Sequence, residues 1–506
     1  MKAFVNPHRA PGIRTLQTAV LLIAAPLLCS CQQTQLSFEP VAAPMLADFA
    51  NTGSIANLAI ETGLADANNG HQTKPVSGLP PFPQIGAEPL DQKQAETLMR
   101  SGIWQQGAVT VDARLKAAHF ILVSPGSPLP HGDLLARALN ARARHAALNG
   151  DTCAENLVVV ARLHSLSFSS RCDSAAVLKQ RAQALMDGLS QMTSADFNRI
   201  VREHKLARHI DAFTGADIDR LWAQKVLGDG HPYLGYNRPF DGNPNELSAS
   251  LQAFRAQAQT HLLSNSAATQ DDNAPHSFHA QTEMIVPPQS HAEPEKPALL
   301  TPPLQSGKRL YLLDAPGQVQ AQVRIGYGLS PSGDSSSCKA AAALLGRSQS
   351  GRLFYDLRSQ RGLTYGVYGS CIDNPLSRTL KFYGASANES SGAFVRGIVD
   401  HLALLANDDA GTEELNALQS YLAGQRILRT DSPGAALADW LDALEQGQSQ
   451  PKAAGTLLDS LALAGFNRLV FSQAPLIVVK GDASVIRADL AAKLPDWQIE
   501  VLENVP

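Results

Sequence analysis

Gly351-Arg352-Leu353-Phe354-Tyr355-Asp356-Leu357-Arg358-Ser359-Gln360-Arg361-Gly362-Leu363-Thr364-Tyr365-Gly366-Val367-Tyr368 is the stretch whose reading decides the fold of this chain. Its tail runs into a strand over 365–370, and Leu380 to Ser386 reads as the returning strand. Upstream, Arg309 to Leu313 and Ala321 to Tyr327 read as strands, and Cys338 to Leu345 as a helix. Downstream, the spacing of apolar residues predicts helices over 392–405 and 412–428, then a strand at Leu476 to Lys480 and a short helix from Ser484.

The same order of elements occurs earlier in the chain. Ala108 to Val111 and Ala118 to Val123 read as strands, and Gly132 to Ala147 as a helix. Leu157 to Ala161 and Ser165 to Ser169 read as a hairpin turning near Arg162–Leu163. Leu178, Ala182, Leu185, Met186, Leu189 and Met192 follow a 3.6-residue period, the mark of an amphipathic helix. A further helix is expected over 196–212, capped by Ser194. Residues 264–306, rich in Ser, Ala, Gln, His and Pro, read as a linker between the two blocks.

The N-terminus carries its own message. Lys2, Arg9 and Arg14 precede the apolar run Ala19 to Leu28, which is too short to span a bilayer as a helix. Leu28-Cys29-Ser30-Cys31 then resembles a bacterial lipobox cleaved before Cys31. Residues 1–31 are therefore expected to be a lipoprotein signal with Cys31 as the lipidation site, and 32–90 a Pro/Ala/Gly-rich tether. Gln32 after the cysteine points to the outer membrane, with the protein facing the periplasm. Export permits disulfides. The hairpin places Cys153 opposite Cys172, which leaves Cys338 and Cys371 as the other candidate pair; the alternative is reduced, buried thiols. No Cys-x-x-Cys is present, so a zinc ribbon or a thioredoxin-like site has no support. A net charge of −4 gives no basic footprint for nucleic acid.

The second block resembles the C-terminal half of the pitrilysin / insulinase / mitochondrial-processing-peptidase family. Besides the opening stretch, with its Leu357-Arg358 and Gly362-Leu363-Thr364-Tyr365, the resemblance rests on further pieces in order. They are Leu312-Leu313-Asp314-Ala315-Pro316-Gly317, Leu344-Leu345-Gly346, Thr412-Glu413-Glu414-Leu415 and Gly481-Asp482. In the first block it rests mainly on Gly230-His231-Pro232-Tyr233, a structural turn in the family. The resemblance implies an α+β fold of two homologous halves, each a mostly antiparallel sheet with helices packed on one face. It divides the chain into a peptidase-like domain at 91–263 and a family domain at 307–506.

What active members carry in the first half is missing here. Their His-x-x-Glu-His motif places two histidines side by side on one helical face to bind zinc, which brings the pKa of a bound water near 7. Among fourteen histidines no two are four residues apart. The corresponding helix starts His131-Gly132-Asp133-Leu134, with one histidine only, and Glu203 stands as the relic of the distal ligand. His204 and His209 are five apart, roughly 140° around a helix, so they read as solvated surface residues rather than ligands. No metal site and no bound cofactor is expected on this chain, and zinc is expected on a partner.

Some family enzymes are split between a zinc-bearing chain and a homologue that supplies an arginine and a tyrosine seven residues apart. The matching positions are Arg358 and Tyr365. The resemblance thus implies the non-zinc subunit of a two-chain periplasmic metallopeptidase, inactive alone. Its partners would be a homologous subunit bearing His-x-x-Glu-His, a peptide or unfolded polypeptide whose backbone adds to a sheet edge, and the membrane through the lipid. The alternative is a catalytically inactive envelope lipoprotein that binds peptides or scaffolds a complex.

Overall fold

A computed structural model describes residues 103–236, 239–265, 307–330, 335–347, 350–430, 432–451 and 458–503. Cys31, the signal, the tether and nearly all of the linker lie outside the described residues.

Two six-stranded mixed sheets organise the molecule. The first is ordered β1-β2-β6-β3-β5-β4, from β1 (Ile103–Gln106), β2 (Val109–Asp112), β3 (Ala118–Val123), β4 (Val158–Ala161), β5 (Ser165–Ser170) and β6 (Gln259–Ser264). The second is ordered β12-β7-β11-β8-β10-β9, from β7 (Arg309–Asp314), β8 (Gln320–Leu329), β9 (Thr364–Asn374), β10 (Ser377–Ala387), β11 (Leu476–Gly481) and β12 (Gln498–Leu502). Matching β2 to β7, β6 to β11, β3 to β8, β5 to β10 and β4 to β9 superposes five strands with every parallel and antiparallel pairing preserved. The sixth strand differs. β1 pairs antiparallel with β2, whereas β12 pairs parallel with β7. Strands β6, β1 and β12 are additions to the expected set.

Helices α1 (Gly132–Leu148), α2 (Ala175–Asp187), α3 (Ser194–Phe213), α4 (Ala216–Leu227), the short α5 (Tyr233–Tyr236) and α6 (Pro244–Gln257) belong to the first half. The second half holds α7 (Ser336–Gly346), α8 (Ser391–Asn407), α9 (Thr412–Thr430), α10 (Pro433–Glu445), α11 (Ser460–Phe471) and α12 (Ala483–Lys493). Thr193, not Ser194, caps α3: its hydroxyl accepts from Asp196 N at 3.1 Å. The period running to Met192 breaks at Gly188, after which Leu189–Gln191 forms a separate 3₁₀ turn.

Both faces of each sheet are buried at its central strands. Along β3, Phe120 and Leu122 enter the large core with α1 and α2, while Ile121 and Val123 point the other way. That alternation is the period-2 geometry of a strand. The second face of the first sheet is covered by Ala436, Trp440, Leu441 and Leu444 of α10, a helix of the second half. Reciprocally, Ile218, Trp222 and Val226 of α4 cover Tyr311, Leu476 and Val478 on the second sheet. Each half therefore lends one helix to the back of the other's sheet, beyond the one-face packing that the resemblance implies.

Polar contacts fix both exchanges. Trp440 Nε1 donates to Asp112 Oδ2 at 2.7 Å, and Ser165 donates to Glu445 at 2.5 Å. Asp219 of α4 accepts from Arg324 at 2.7 Å and Lys381 at 2.7 Å, and Asp217 accepts from Lys480 at 2.5 Å. Burial pushes the Asp219 carboxyl up, but the hydrogen bonds from Arg324 and Lys381 outweigh it and hold the group below its ordinary range.

Cys153 pairs with Cys172 and Cys338 with Cys371, with Cα separations of 5.5 and 5.7 Å. The first bond staples the β4–β5 hairpin at its open end. The second ties α7 to β9. Closing loops of 19 and 33 residues stabilises by about 3–4 kcal/mol each in the chain-entropy picture.

Trp440→Ala is expected to cost about 3–5 kcal/mol, because it opens a cavity between the halves and removes a donor from buried Asp112. An unfolding free energy from urea titration within about 1 kcal/mol of wild type would show that the exchanged helix is dispensable. A second prediction concerns acid. His119 lies 5% exposed beside Ser169, and burial pushes it down to about 4. The unfolded chain protonates near 6.5 and the folded chain only near 4, so the folded state binds fewer protons in that window and stability falls as pH drops from 6.5 to 4. The loss reaches roughly 3 kcal/mol. His119→Gln should flatten that acid slope in thermal melts, and an unchanged slope would refute the assignment.

Candidate functional site

The opening stretch follows α7, which ends at Gly346 where Arg347 turns extended, as a separate short helix. Residues Phe354–Gln360 form a π-helix, and Gly362, at φ 65°, lets the chain leave it. Leu363 N then donates to Leu357 O at 2.8 Å, which turns the chain into β9.

Three arginines in this stretch have different surroundings. Arg352 is 3% exposed and forks onto Glu414 at 2.8 and 2.6 Å, joining the stretch to the first turn of α9. Arg361 Nε donates to Asp356 Oδ1 at 2.8 Å, and the other oxygen of that buried carboxylate meets His401 Nε2 of α8 at 2.9 Å. Arg358 has no carboxylate partner among the described residues. It lies exposed, with its guanidinium over the Phe354 ring at 4.4 Å. A cation held against an aromatic face keeps its donors free.

Tyr365 is 87% exposed. The cause lies in the ladder: Gly366 pairs with Ala385 and Thr364 with Ser386, so Tyr365 is the extra residue of a β-bulge. Bulges re-aim side chains and recur next to active sites. Thr364 fixes this one, donating to Ala385 O at 2.5 Å and accepting from Gly366 N at 3.1 Å. Arg358 and Tyr365 were singled out by the family resemblance, with which their spacing agrees. Sequence reasoning missed Thr364, whose only signal is a hydroxyl residue at the strand entrance.

In the first half, α1 and α3 meet where the resemblance places a metal. There His204 Nδ1 and Asp133 Oδ2 lie 2.9 Å apart, and Arg137 donates to the same oxygen at 2.9 Å. The hydrogen bond from His204 draws the Asp133 carboxyl down to about 2, against the cost of burial and with help from Arg137. His204, 5% exposed, is thus not the solvated residue its spacing suggests. Glu203 faces solvent and pairs with Arg199 at 2.9 Å. These residues do not fit zinc: the carboxylate is already engaged, and a guanidinium stands beside it. Among the described residues no group of three or more His, Cys, Asp or Glu could hold a metal ion.

Gly230-His231-Pro232-Tyr233 forms a joint between the halves. Tyr233 Oη accepts from Leu376 N at 2.8 Å, at the tip of the β9–β10 hairpin. It also lies 2.7 Å from Nε2 of His164, at the tip of the β4–β5 hairpin. His164 Nδ1 sits 2.8 Å from Ser124 O, an acceptor only, so Nδ1 carries the proton and Nε2 accepts from the tyrosine. His231 Nδ1 accepts from Tyr233 N at 3.2 Å, which gives it a place in the turn and no ligand role.

Comparison with known proteins bears on this geometry. Residues 273–422 match the family model described as the peptidase M16 inactive domain. The matched residues include the stretch that holds Arg358 and Tyr365, so this part of the chain is similar to an M16 inactive domain. Solved structures share the fold across both halves. A protease from Helicobacter pylori is 13% identical, with a TM-score of 0.53 over 74% of this chain and 98% of that one. A putative M16-like peptidase from Alicyclobacillus acidocaldarius is 9% identical, with 0.53 over 75% and 97%. Complex III2 from Candida albicans, bound to Inz-5, is 10% identical, with 0.51 over 76% and 97%. At these identities the likeness concerns the fold alone. No curated protein matches the sequence.

The arginines separate by experiment. Arg352→Ala leaves Glu414 buried without its partner and is expected to cost about 3–5 kcal/mol. Arg358→Ala, at an exposed site, should stay within about 0.5 kcal/mol of wild type. Differential scanning fluorimetry checks both, and the reverse order would overturn the division of roles.

Proposed function

We propose that this chain is the non-zinc subunit of a two-chain zinc metallopeptidase. It lends Arg358 and Tyr365, and half of a peptide-binding chamber, to a homologous zinc-bearing partner. One observation carries the reading: in a stretch whose other arginines are tied down by Glu414 and Asp356, Arg358 and the bulged Tyr365 are both turned to solvent. Amide hydrolysis develops negative charge on the carbonyl oxygen. A phenol O–H and a guanidinium held ready can stabilise that charge more than they stabilise the uncharged substrate. The partner would bring zinc and its activated water, which the Asp133–His204–Arg137 cluster is not built to hold. The M16 inactive-domain match is consistent with such a division.

Location belongs to the same proposal: a chain lipidated at Cys31, held at the outer membrane and facing the periplasm. A second reading draws on the fold neighbour in complex III2. On it, the chain is an envelope lipoprotein without peptidase activity that binds peptides or scaffolds an assembly.

The test is purification of the tagged mature protein from detergent-solubilised envelopes, followed by turnover measurements. A stoichiometric partner bearing His-x-x-Glu-His is expected. Within that complex, Arg358→Ala and Tyr365→Phe should each lower turnover by about 10²–10³. Unchanged turnover sinks the assisting role, and recovery without any such partner favours the second reading.

A further inference from the structure

The two sheets end on equivalent edge strands, β4 and β9, and their backbones are occupied differently. In an antiparallel hairpin, pairs that exchange hydrogen bonds alternate with pairs that do not, so every second residue turns its N–H and C=O outward. On β4 the bond from Arg162 N to Ser165 O sets the phase, and Val159 and Ala161 face outward. Both are already engaged. The Asn140 side chain of α1 donates to Val159 O at 2.7 Å and accepts from Val159 N at 3.0 Å, as a neighbouring strand would. Tyr236 donates to Ala161 O at 3.4 Å.

On β9, Asn374 pairs with Ser377 across the two-residue connection Pro375-Leu376, so Gly369, Cys371 and Asp373 face outward. Gln446 Nε2 takes the Asp373 carbonyl at 2.7 Å, in agreement with that phase. Among the described residues nothing bonds to the N–H or C=O of Gly369 or Cys371. Both residues are partly exposed. Helix α7 lies over the core-facing side of the strand, where Cys371 is bonded to Cys338. On the opposite side Tyr368 and Ile372 are each 42% exposed, and Tyr368 leans on Tyr383 with ring centroids 5.7 Å apart.

We infer that β9, and not β4, is the strand-addition edge of this subunit, and that it takes an extended polypeptide with apolar side chains at alternate positions. Gly369 and Cys371 offer two donors and two acceptors in register for an incoming backbone. Tyr368 and Ile372 flank the place where one face of that strand puts its side chains. Asn140 closes the equivalent edge of the first half, as side chains that blunt edge strands do. The inference rests on the reading of this chain as a peptide-handling subunit and names the segment that would do the holding.

The experiment uses the mature chain alone. The probes are capped decapeptides with Val, Leu, Phe or Tyr at alternate positions and Thr between them. Fluorescence anisotropy gives the affinity and residue-resolved amide exchange gives the register. Binding should slow exchange at Gly369 and Cys371 and leave Val159 unchanged. Ile372→Lys should weaken binding at least tenfold, whereas Val158→Lys on β4 should change it less than twofold. Ile372 is exposed enough for the substitution to be carried without unfolding, which a melting curve verifies. Slowing at Val159, an Ile372→Lys affinity equal to wild type, or no protection at Gly369 and Cys371 from any probe at millimolar concentration overturns the assignment. The arms stay distinct from the subunit test: turnover that needs Arg358 and Tyr365, together with unprotected Gly369 and Cys371, would keep the subunit role and reject this edge.

Discussion

Neither sheet can bury its second face with helices of its own half. Ile121 and Val123 on one, Tyr311 and Val478 on the other, stay in water unless α10 and α4 cross over. At about 25 cal/mol per Å² of apolar surface, that exposure would be a serious loss for a chain with marginal net stability. The halves are thus mutually dependent, and the ionic contacts serve this exchange. Asp219 meets two cations at once, and Asp112 is held by Trp440 and Arg114 together. Everything nearer the candidate site is placed by this arrangement, because α4 and α10 set how β4 and β9 approach the joint at Tyr233.

Buried ion pairs give the second half its local precision. Arg352 with Glu414 joins the π-helical stretch to α9, and Asp356 with Arg361 and His401 joins it to α8. Such pairs add little net stability over well-packed apolar residues, yet removing one partner is costly. Their effect is to hold a short irregular segment in one geometry, so that Arg358 and Tyr365 leave it in fixed directions. The first half shows the opposite use of charge. Where a cation site would need converging acids, Asp133 stands with His204 and Arg137.

Much of the fold was legible because its strands are strongly patterned. Ala118 to Val123 and Leu476 to Lys480 are short runs rich in Leu, Ile and Val, and both are strands buried on two faces. The exchanged helices were not legible. The apolar positions of α10 and α4 read like those of any amphipathic helix, and nothing local says which sheet they will cover. Edge strands β1 and β12 were missed for a related reason: their residues are largely exposed, so hydrophobic alternation is weak. At the site, the family resemblance pointed to Arg358 and Tyr365. The bulge that turns Tyr365 outward depends on a register with β10 that the chain cannot reveal locally. His204 read as solvated because its partner, Asp133, lies 71 residues away.

The mismatch of the sixth strand bears on how the chain leaves the fold. Five strands repeat with their directions intact, while β1 and β12 occupy the same slot in opposite senses relative to their neighbours. The unit that repeats is thus five-stranded, and each outer border is finished by a different stretch of chain. As a result the first and last strands of the described protein sit at the far borders of their sheets, in strand order as distant as possible from β4 and β9. A tag or fusion attached beyond either strand joins the molecule along its outer borders.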